Sequence, residues 1–260
     1  MNVRIIPDRW EKIIELVEGR DGASVDEIAA ALSISATSVR RDLARIDQRG
    51  LLKRTWGGAA PTRRAWPGPT LAESRKINPV EKERIGRVAA DLVNPGDTVM
   101  FDGGFTTFQV ARHITAADIS VVTNSFDVAQ AVFGRDDVTL EFIGGALTAA
   151  SGTTIGPRTA QQIRQLNADK AILGADAISI AEGLSTPNPL IAQTKRAMIE
   201  HSRELIVVAD YSKLGRFALH RVAPVDAISV LVTDDKADTE ILDSLRAAGI
   251  DVVVASGAAP

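Results

Sequence analysis

The chain has 260 residues, 45% of them hydrophobic and 24% charged, which is long enough for two domains and typical of a globular protein with a sizeable buried core. It has no cysteine and only three separated histidines, so disulfides, thiol catalysis and cysteine-ligated metals are excluded, and we expect no metal and no cofactor. The first residues lack the apolar core of a signal peptide and no apolar run of about 18 residues occurs, so we expect a cytoplasmic protein without a membrane partner.

The net charge of −3 is distributed unevenly along the chain. Residues 1–64 carry 12 Lys/Arg and 9 Asp/Glu, whereas the other 196 residues carry 18 and 24. Residues 36–54 alone hold six basic and two acidic side chains. A basic surface on one module and an acidic remainder are typical of a protein that binds nucleic acid through that module.

Two helices are predicted first. Asp8 is placed to cap a helix that ends near residues 19–22. The next helix follows Ser24, which has the spacing of a capping box with Glu27, and apolar residues then recur at helical spacing.

A very short turn at residues 33–35 joins the second helix to a third, which Ser35 is placed to cap. The third helix has an inward apolar face made by Val39, Leu43 and Ile46. A compact helix-turn-helix of this kind inserts its second helix into the DNA major groove, so we predict DNA binding.

Residues 51–59 are predicted to form a short strand, a glycine turn and a returning strand, which together make a wing. We expect base-edge and nearby phosphate contacts from Thr37, Ser38, Arg40 and Arg41. Mainly backbone contacts are expected from Arg45, Arg49, Lys53, Arg54 and the wing at 55–58. The predicted DNA-binding residues are Ser35, Thr37, Ser38, Arg40, Arg41, Arg45, Arg49, Lys53, Arg54, Trp56 and Gly57.

Residues 60–72 contain three prolines and little periodicity, which indicates a linker. After an amphipathic helix at 80–93, buried strands are predicted at 98–102, 120–123, 139–143, 171–174, 204–209, 227–233 and 251–255. Helices are predicted between several of them, at 106–114, 125–133, 156–167, 190–202 and 237–248. This alternation predicts a doubly wound, mostly parallel α/β sheet with ligands bound beyond the carboxyl ends of its strands.

Over residues 8–255 the chain resembles the DeoR family of bacterial transcription regulators. The motifs that carry the resemblance are SVRRDLARIDQRGLLKRTWGGA at 38–59, EKERIG at 81–86, NPGDTVMFDGGFTT at 94–107, VVTNS at 121–125, IGGAL at 143–147, ADKAILGAD at 168–176, GLSTPN at 183–188, TKRAMIE at 194–200 and VVADYSKLGR at 207–216. A single helix-turn-helix match is weak, but this ordered series of motifs is specific.

The resemblance implies a winged helix-turn-helix domain at 1–59, a linker at 60–79 and an effector-binding α/β domain at 80–260. The fold of that last domain is similar to ribose-5-phosphate isomerases and glucosamine-phosphate deaminases. The implied function is a repressor of a carbohydrate-catabolism operon that binds double-stranded operator DNA under the control of a phosphorylated sugar. Palindromic operators are bound by symmetric dimers, so we expect a homodimer or homotetramer.

The loop at residues 102–107 joins a predicted strand to a predicted helix, where free N–H groups and hydroxyls can hold a phosphate. The spacing alone fits an ordinary turn equally well, and the resemblance favours a ligand loop. Relatives usually carry a hydroxyl residue at the positions of Gly103 and Phe105. The predicted residues of this loop are Asp102, Gly103, Gly104, Phe105, Thr106 and Thr107.

Further effector contacts are implied only by the family motifs, since each residue alone fits a cap, a turn, a solvated surface or, for Asp176, a structural aspartate with its hydrogen bonds satisfied. They are Asn124, Gly144, Gly145, Asp176, Lys195 and Lys213, with Lys82 as a weaker candidate. Either Lys195 or Lys213 can neutralise a phosphate or a carboxylate.

An isomerase-like or deaminase-like enzyme with an accessory DNA module is the main alternative. Such chemistry needs carboxylates for proton transfer next to a carbonyl. The family commonly has a glutamate four residues before Lys195, where this chain has Ile191. We therefore predict no catalytic residues and no enzyme. A constitutive DNA-binding protein whose second domain only oligomerises is a third possibility.

Overall fold

A computed structural model describes residues 8–20, 22–48, 52–61 and 70–257. The chain divides into two compact units, Met1–Arg64 and Ala65–Pro260. Within the described ranges, no helix combines the length and the apolar character needed to cross a bilayer.

The first unit has the predicted three helices and wing. Its helices are α1 (Asp8–Gly19), α2 (Val25–Leu32) and α3 (Ala36–Gln48), and its strands are β1 (Ala23–Ser24), β2 (Leu52–Thr55) and β3 (Gly58–Pro61). The strands pair antiparallel in the order β1-β3-β2, so β1 is a third strand that the prediction lacked. Strand β3 approaches β1 closely at Gly58, where a Cβ would lie 2.2 Å from the oxygen of Ala23.

Local hydrogen bonds explain the boundaries of α2 and α3. Ser24 and Glu27 form the predicted capping box, and the Ser38 N–H donates to Ser35 Oγ over 3.2 Å. Between the two helices, Ser33 adopts a left-handed φ of 53°. Asp42, which is buried, accepts hydrogen bonds from the Arg9 and Trp10 side chains and so ties α3 to α1.

The second unit is built on a seven-stranded sheet. Its strands are β4 (Thr98–Phe101), β5 (Ile119–Thr123), β6 (Val138–Phe142), β9 (Ala168–Gly174), β12 (Ser202–Val208), β14 (Val230–Asp234) and β15 (Asp251–Ala255). The helices are α4 (Leu71–Ser74), α5 (Pro79–Ala90), α6 (Phe105–His113), α7 (Phe126–Val132), α8 (Pro157–Ile163), α9 (Pro189–Glu200) and α10 (Thr239–Ala247). Helix α4 lies within the range predicted as linker.

The strand order is β15-β14-β12-β9-β4-β5-β6, and every neighbouring pair of these described strands is parallel. The chain runs outward from β4 to β6, then returns to β9 on the other side of β4. The strand order therefore reverses between β4 and β9, which is where open α/β sheets bind ligands.

Each face of the sheet carries its own apolar core. Successive residues of β4 alternate between the two cores, since Met100 belongs to the core that contains Ile163 and Met198. Phe101 belongs to the core that contains Ile85 and Val110. Helices α8, α9 and α10 therefore cover one face, and α5, α6 and α7 cover the other. The doubly wound prediction is confirmed.

Two smaller sheets were not predicted. A hairpin of β7 (Ala146–Thr148) and β8 (Thr153–Ile155) follows β6, and an antiparallel sheet joins β10 (Ala177–Ser179), β11 (Gly183–Thr186) and β13 (His220–Ala223). Strands of both sheets follow carboxyl ends of the main sheet's strands, so they lie at the edge of the sheet where the strand order reverses.

Candidate functional site

The exposed face of α3 carries the residues that were predicted to contact DNA. Thr37, Arg41 and Arg45 are exposed and follow one another at four-residue spacing, so they share one helix face. Arg40 is exposed beside them. Ser38 is half-buried, and its hydroxyl lies 3.0 Å from that of Ser35, so both serines also serve the start of the helix.

The wing adds a second exposed basic surface to the first unit. Lys53 and Arg54 are exposed on β2, and the Arg54 N–H donates to Asp47 Oδ1 over 3.2 Å. Trp56 at the wing turn is fully exposed, and Gly57 beside it has a φ of 94°, a conformation that favours glycine. Arg49 lies outside the described residues.

In the second unit, a cavity of about 540 Å³ opens at the carboxyl ends of β4 and β9. Seven of the predicted effector residues line it, and they come from four different parts of the chain. They are Gly103, Gly104, Phe105, Thr106, Asp176, Lys195 and Lys213. The place where the strand order reverses, between β4 and β9, and the residues of the family motifs therefore indicate the same cavity.

The start of helix α6 provides backbone donors to this cavity. Gly104 precedes the helix and has no side chain that could cap it. The N–H groups of the first helical turn have no partner within the helix itself, and the helix dipole favours a negative charge beside them. Gly103 and Gly104 line the cavity directly, so an anion can approach the backbone closely.

Asp102 is buried at 3% exposure and is joined to Lys195 by an ion pair. The Gly174 N–H donates to Asp102 Oδ1 over 2.9 Å, and Lys195 Nζ donates to the Gly174 oxygen over 2.6 Å. These contacts bridge the ends of β4 and β9. Burial raises the pKa of the Asp102 carboxyl, and the nearby Lys195 ammonium opposes that change.

A second charged group lies around Asp210 at the end of β12. Lys82 Nζ is 3.7 Å from Asp210 Oδ2, and Lys82, Asp210 and Lys213 all line the cavity. Burial lowers the pKa of Lys213 to about 8, and burial also lowers the pKa of Lys82, with the Asp210 charge opposing both changes. The cavity therefore presents several ammonium groups to an anionic ligand.

Other parts of the cavity wall are apolar or carry hydroxyls. Ile191, Phe105, Leu71 and Pro189 supply apolar surface, and Phe105 also stacks on Phe108 with 5.9 Å between ring centroids. Asp176 accepts a hydrogen bond of 2.6 Å from Thr186 Oγ1. Position 191, for which the family resemblance implies a glutamate, is the apolar Ile191 and makes this part of the wall less polar.

The remaining predicted effector residues do not line the cavity. Asp102 and Thr107 are buried beside it, with Thr107 Oγ1 donating to the Gly104 oxygen over 3.0 Å. Asn124 Nδ2 donates to the Thr154 oxygen over 2.7 Å. The Gly144 oxygen accepts from the Thr159 and Gln162 side chains, and a Cβ at Gly145 would lie 2.2 Å from Thr159 Oγ1. These contacts support the loops around the cavity.

Sequence reasoning missed Asp210 and a group of hydroxyl residues in the cavity wall. The hydroxyl residues are Thr70, Ser74, Thr148 and Ser151. The signal for the last two was available, since ALTAASGTTI at 146–155 has two threonine-containing runs separated by a Ser-Gly turn. Nothing local indicated that this hairpin would reach the cavity.

Two family models match the chain in succession. The DeoR-like helix-turn-helix domain matches residues 9–64, and the DeoR C terminal sensor domain matches residues 77–235.

Several curated relatives match nearly the whole chain. The HTH-type transcriptional regulator GlpR of Haloferax volcanii is 33% identical over 95% of this chain and 96% of its own. The transcriptional repressor AccR of Agrobacterium fabrum is 34% identical over 90% and 92%. The glycerol-3-phosphate regulon repressor of Escherichia coli K12 is 31% identical over 91% and 94%.

Solved structures resemble the chain more distantly. Ribose 5-phosphate isomerase A of Methanocaldococcus jannaschii is 17% identical, covers 53% of this chain and 55% of its own, and has a TM-score of 0.38. Translation initiation factor eIF-2B of Pyrococcus horikoshii is 12% identical, with 87% and 95% covered and a TM-score of 0.45.

Proposed function

Since the chain belongs to the DeoR family of transcription regulators, we propose that it represses a carbohydrate-catabolism operon and that a phosphorylated sugar or a related anion controls its DNA binding. The family membership makes it a DNA-binding regulator and not an enzyme. The operon, the sign of regulation and the effector are the parts that we propose.

The DNA half of the proposal rests on the first unit. Thr37, Arg41 and Arg45 share an exposed face of α3, and Lys53 and Arg54 extend the basic surface into the wing. Arg and Lys at these places can bind base edges and phosphates. One such module covers a short site, so we propose that a homodimer or homotetramer binds a palindromic operator.

The effector half rests on one observation above the others. Lys82, Lys195 and Lys213 approach a single cavity that also contains the start of helix α6. A volume of about 540 Å³ is suitable for a small metabolite, and buried ammonium groups are stabilised by a phosphate or a carboxylate. One relative is named for glycerol 3-phosphate, which is a compound of this class.

A two-part experiment tests the proposal on the full-length chain. Duplex DNA is first selected from a random library by the protein, and its affinity is measured by fluorescence anisotropy. Glycerol 3-phosphate, ribose 5-phosphate and glucose 6-phosphate are then added, each with its unphosphorylated counterpart as a control. We expect one phosphate ester to raise the melting temperature of the protein and weaken DNA binding at least tenfold.

Three results would contradict the proposal. Stabilisation by the unphosphorylated compound but not by its phosphate would contradict an anion site in the cavity. Turnover of a sugar phosphate would revive the enzyme alternative. Unchanged DNA affinity and melting temperature with all the esters would favour a constitutive DNA-binding protein.

A further inference from the structure

Residues 70–77, called the cover segment here, are the first described residues of the second unit and border the cavity. They include helix α4, whose Thr70 and Glu73 form a capping box. Thr70, Leu71 and Ser74 line the cavity. The cover segment also follows directly after residues 62–69, which join the second unit to the DNA-binding unit.

Three polar contacts hold the cover segment in place. The Leu71 N–H donates to the Ala150 oxygen at the tip of the β7–β8 hairpin over 3.0 Å. Arg75 forms an ion pair of 2.6 Å with Asp127 on α7, in which the arginine is half-exposed. The third contact comes from Lys82, which is 1% exposed.

The Lys82 ammonium group contacts the cover segment and also lies near the charged group around Asp210. Its Nζ donates to the Ser74 main-chain oxygen over 2.6 Å and to Ser74 Oγ over 3.3 Å. Asp210 Oδ2 lies 3.7 Å away. Asp210 Oδ2 is beyond hydrogen-bond distance, so Ser74 accepts both hydrogen bonds described for this ammonium group. Because Lys82 is 1% exposed, a ligand that binds its ammonium group must take the place of one of these neighbours.

The two partners of Lys82 are not equally easy to displace. Asp210 is fixed by Asn78 Nδ2, which donates to Oδ1 over 2.8 Å, and by the Ser212 N–H over 3.1 Å. Ser74 offers a neutral carbonyl and a hydroxyl, which bind an ammonium more weakly than an anion does. An anion in the cavity therefore competes with Ser74 first.

We propose that an anionic effector takes over the Lys82 ammonium, releases Ser74 and so detaches the cover segment from the cavity. The inference rests on the proposed anionic effector and adds the route by which its binding is transmitted toward the DNA-binding unit. Lys82 is then a positioning residue for the cover segment in the empty protein and an effector ligand in the bound one.

Hydrogen–deuterium exchange of the full-length chain with saturating inorganic phosphate tests this route, with sodium chloride at equal ionic strength as the control. We expect peptides covering 70–77 to exchange at least tenfold faster with phosphate, because the Leu71 bond to Ala150 is lost. Peptides covering 103–108 are expected to exchange more slowly, because phosphate binds their N–H groups.

Exchange at 70–77 reports on release of the cover segment, whereas exchange at 103–108 reports on anion binding. Slower exchange at 103–108 with unchanged or slower exchange at 70–77 overturns the release but keeps the anion site. No change at either place overturns both.

Variants test the part played by Lys82. In Lys82→Gln the cover segment is expected to exchange fast without phosphate, and phosphate adds no further change. Ser74→Ala removes only the hydroxyl contact and provides a milder variant, with exchange at 70–77 raised about threefold. Glu83→Ala on α5 is the matched control, since this half-buried side chain pairs with Arg87 and has no described contact with the cover segment, and it should behave like the wild type. Unchanged protection of 70–77 in both Lys82→Gln and Ser74→Ala overturns the proposal.

Discussion

Thr153 occupies the space that any side chain at Gly103 would need. A Cβ on Gly103 would lie 2.0 Å from Thr153 Cγ2, whereas its next neighbours, Thr153 Cβ and Ser125 Cβ, would be 3.5 and 3.6 Å away. Thr153 is buried, and its hydroxyl lies 2.6 Å from that of Ser151. The hairpin thus excludes a side chain at position 103 and brings its own hydroxyls to the cavity wall.

The first prediction concerns this packing. Gly103→Ala should destabilise the second unit by about 1–3 kcal/mol, because overpacking a buried site forces neighbouring atoms to move. Adding Thr153→Ser removes Cγ2 but keeps the hydroxyl, and should recover most of the loss. Gly144→Ala is the matched control, since its Cβ would meet nothing closer than 3.7 Å. Urea unfolding followed by circular dichroism gives the three values, and an equal loss in the single and double variants would disprove the coupling.

Asp102 is expected to act through Lys195 and not as a direct effector ligand. Asp102→Asn leaves the Lys195 ammonium buried without its counter-charge, which should cost about 3–5 kcal/mol of stability. The double variant Asp102→Asn, Lys195→Met removes both charges and should be more stable than Asp102→Asn alone. Thermal unfolding measures the stability of these two variants and of Lys195→Met, and additive losses would show that the ion pair contributes no coupling.

Anion affinity should fall as the pH rises through about 8. Burial lowers the pKa of Lys213 to about 8, so its cationic form is present below that pH and is lost above it. The groups around it that also contribute charge are Asp210, Lys82, Asp176 and Arg216. Sulfate keeps its charge throughout, so its dissociation constant should be flat below pH 8 and about tenfold higher at pH 9.

Substitutions identify the group responsible for this pH dependence. Lys213→Arg keeps a positive charge above pH 9, so sulfate affinity should become nearly independent of pH. Lys213→Met should bind sulfate weakly at every pH. Isothermal titration calorimetry measures these affinities. A fall above pH 8 that persists in Lys213→Arg would assign the titration to Lys82, whose pKa burial also lowers.

Replacing Arg40 and Arg41 with alanine should abolish binding to selected operator DNA. Each lost arginine contact is expected to cost about 1–3 kcal/mol, and both side chains are exposed, so the fold should be retained. Stabilisation by a sugar phosphate, measured as a thermal shift, should stay as in the wild type. Arg87→Ala, an exposed arginine on α5 in the second unit, is the control. Loss of the thermal shift together with DNA binding would indicate misfolding instead.

The sequence was most informative where its signals are local. Ser24 and Glu27 are three residues apart, so their capping box is legible in the chain and appears in the structure. The main strands likewise follow from short apolar runs, and their predicted positions are confirmed within a few residues. The hairpin at 146–155 was missed although its Ser-Gly turn is legible, because its strands are three residues long and show little apolar alternation.

The sequence by itself determined the helix-turn-helix, the alternation of strands and helices, and the family to which the chain belongs, because these depend on neighbouring residues and on ordered motifs. Only the tertiary structure decided which residues meet. Asp102 and Lys195 are 93 residues apart, and the contacts of Thr153 with Gly103 and of Lys82 with Ser74 depend on how loops fold over the ends of the strands. Periodicity does not encode such contacts, since the packing of the whole sheet fixes them.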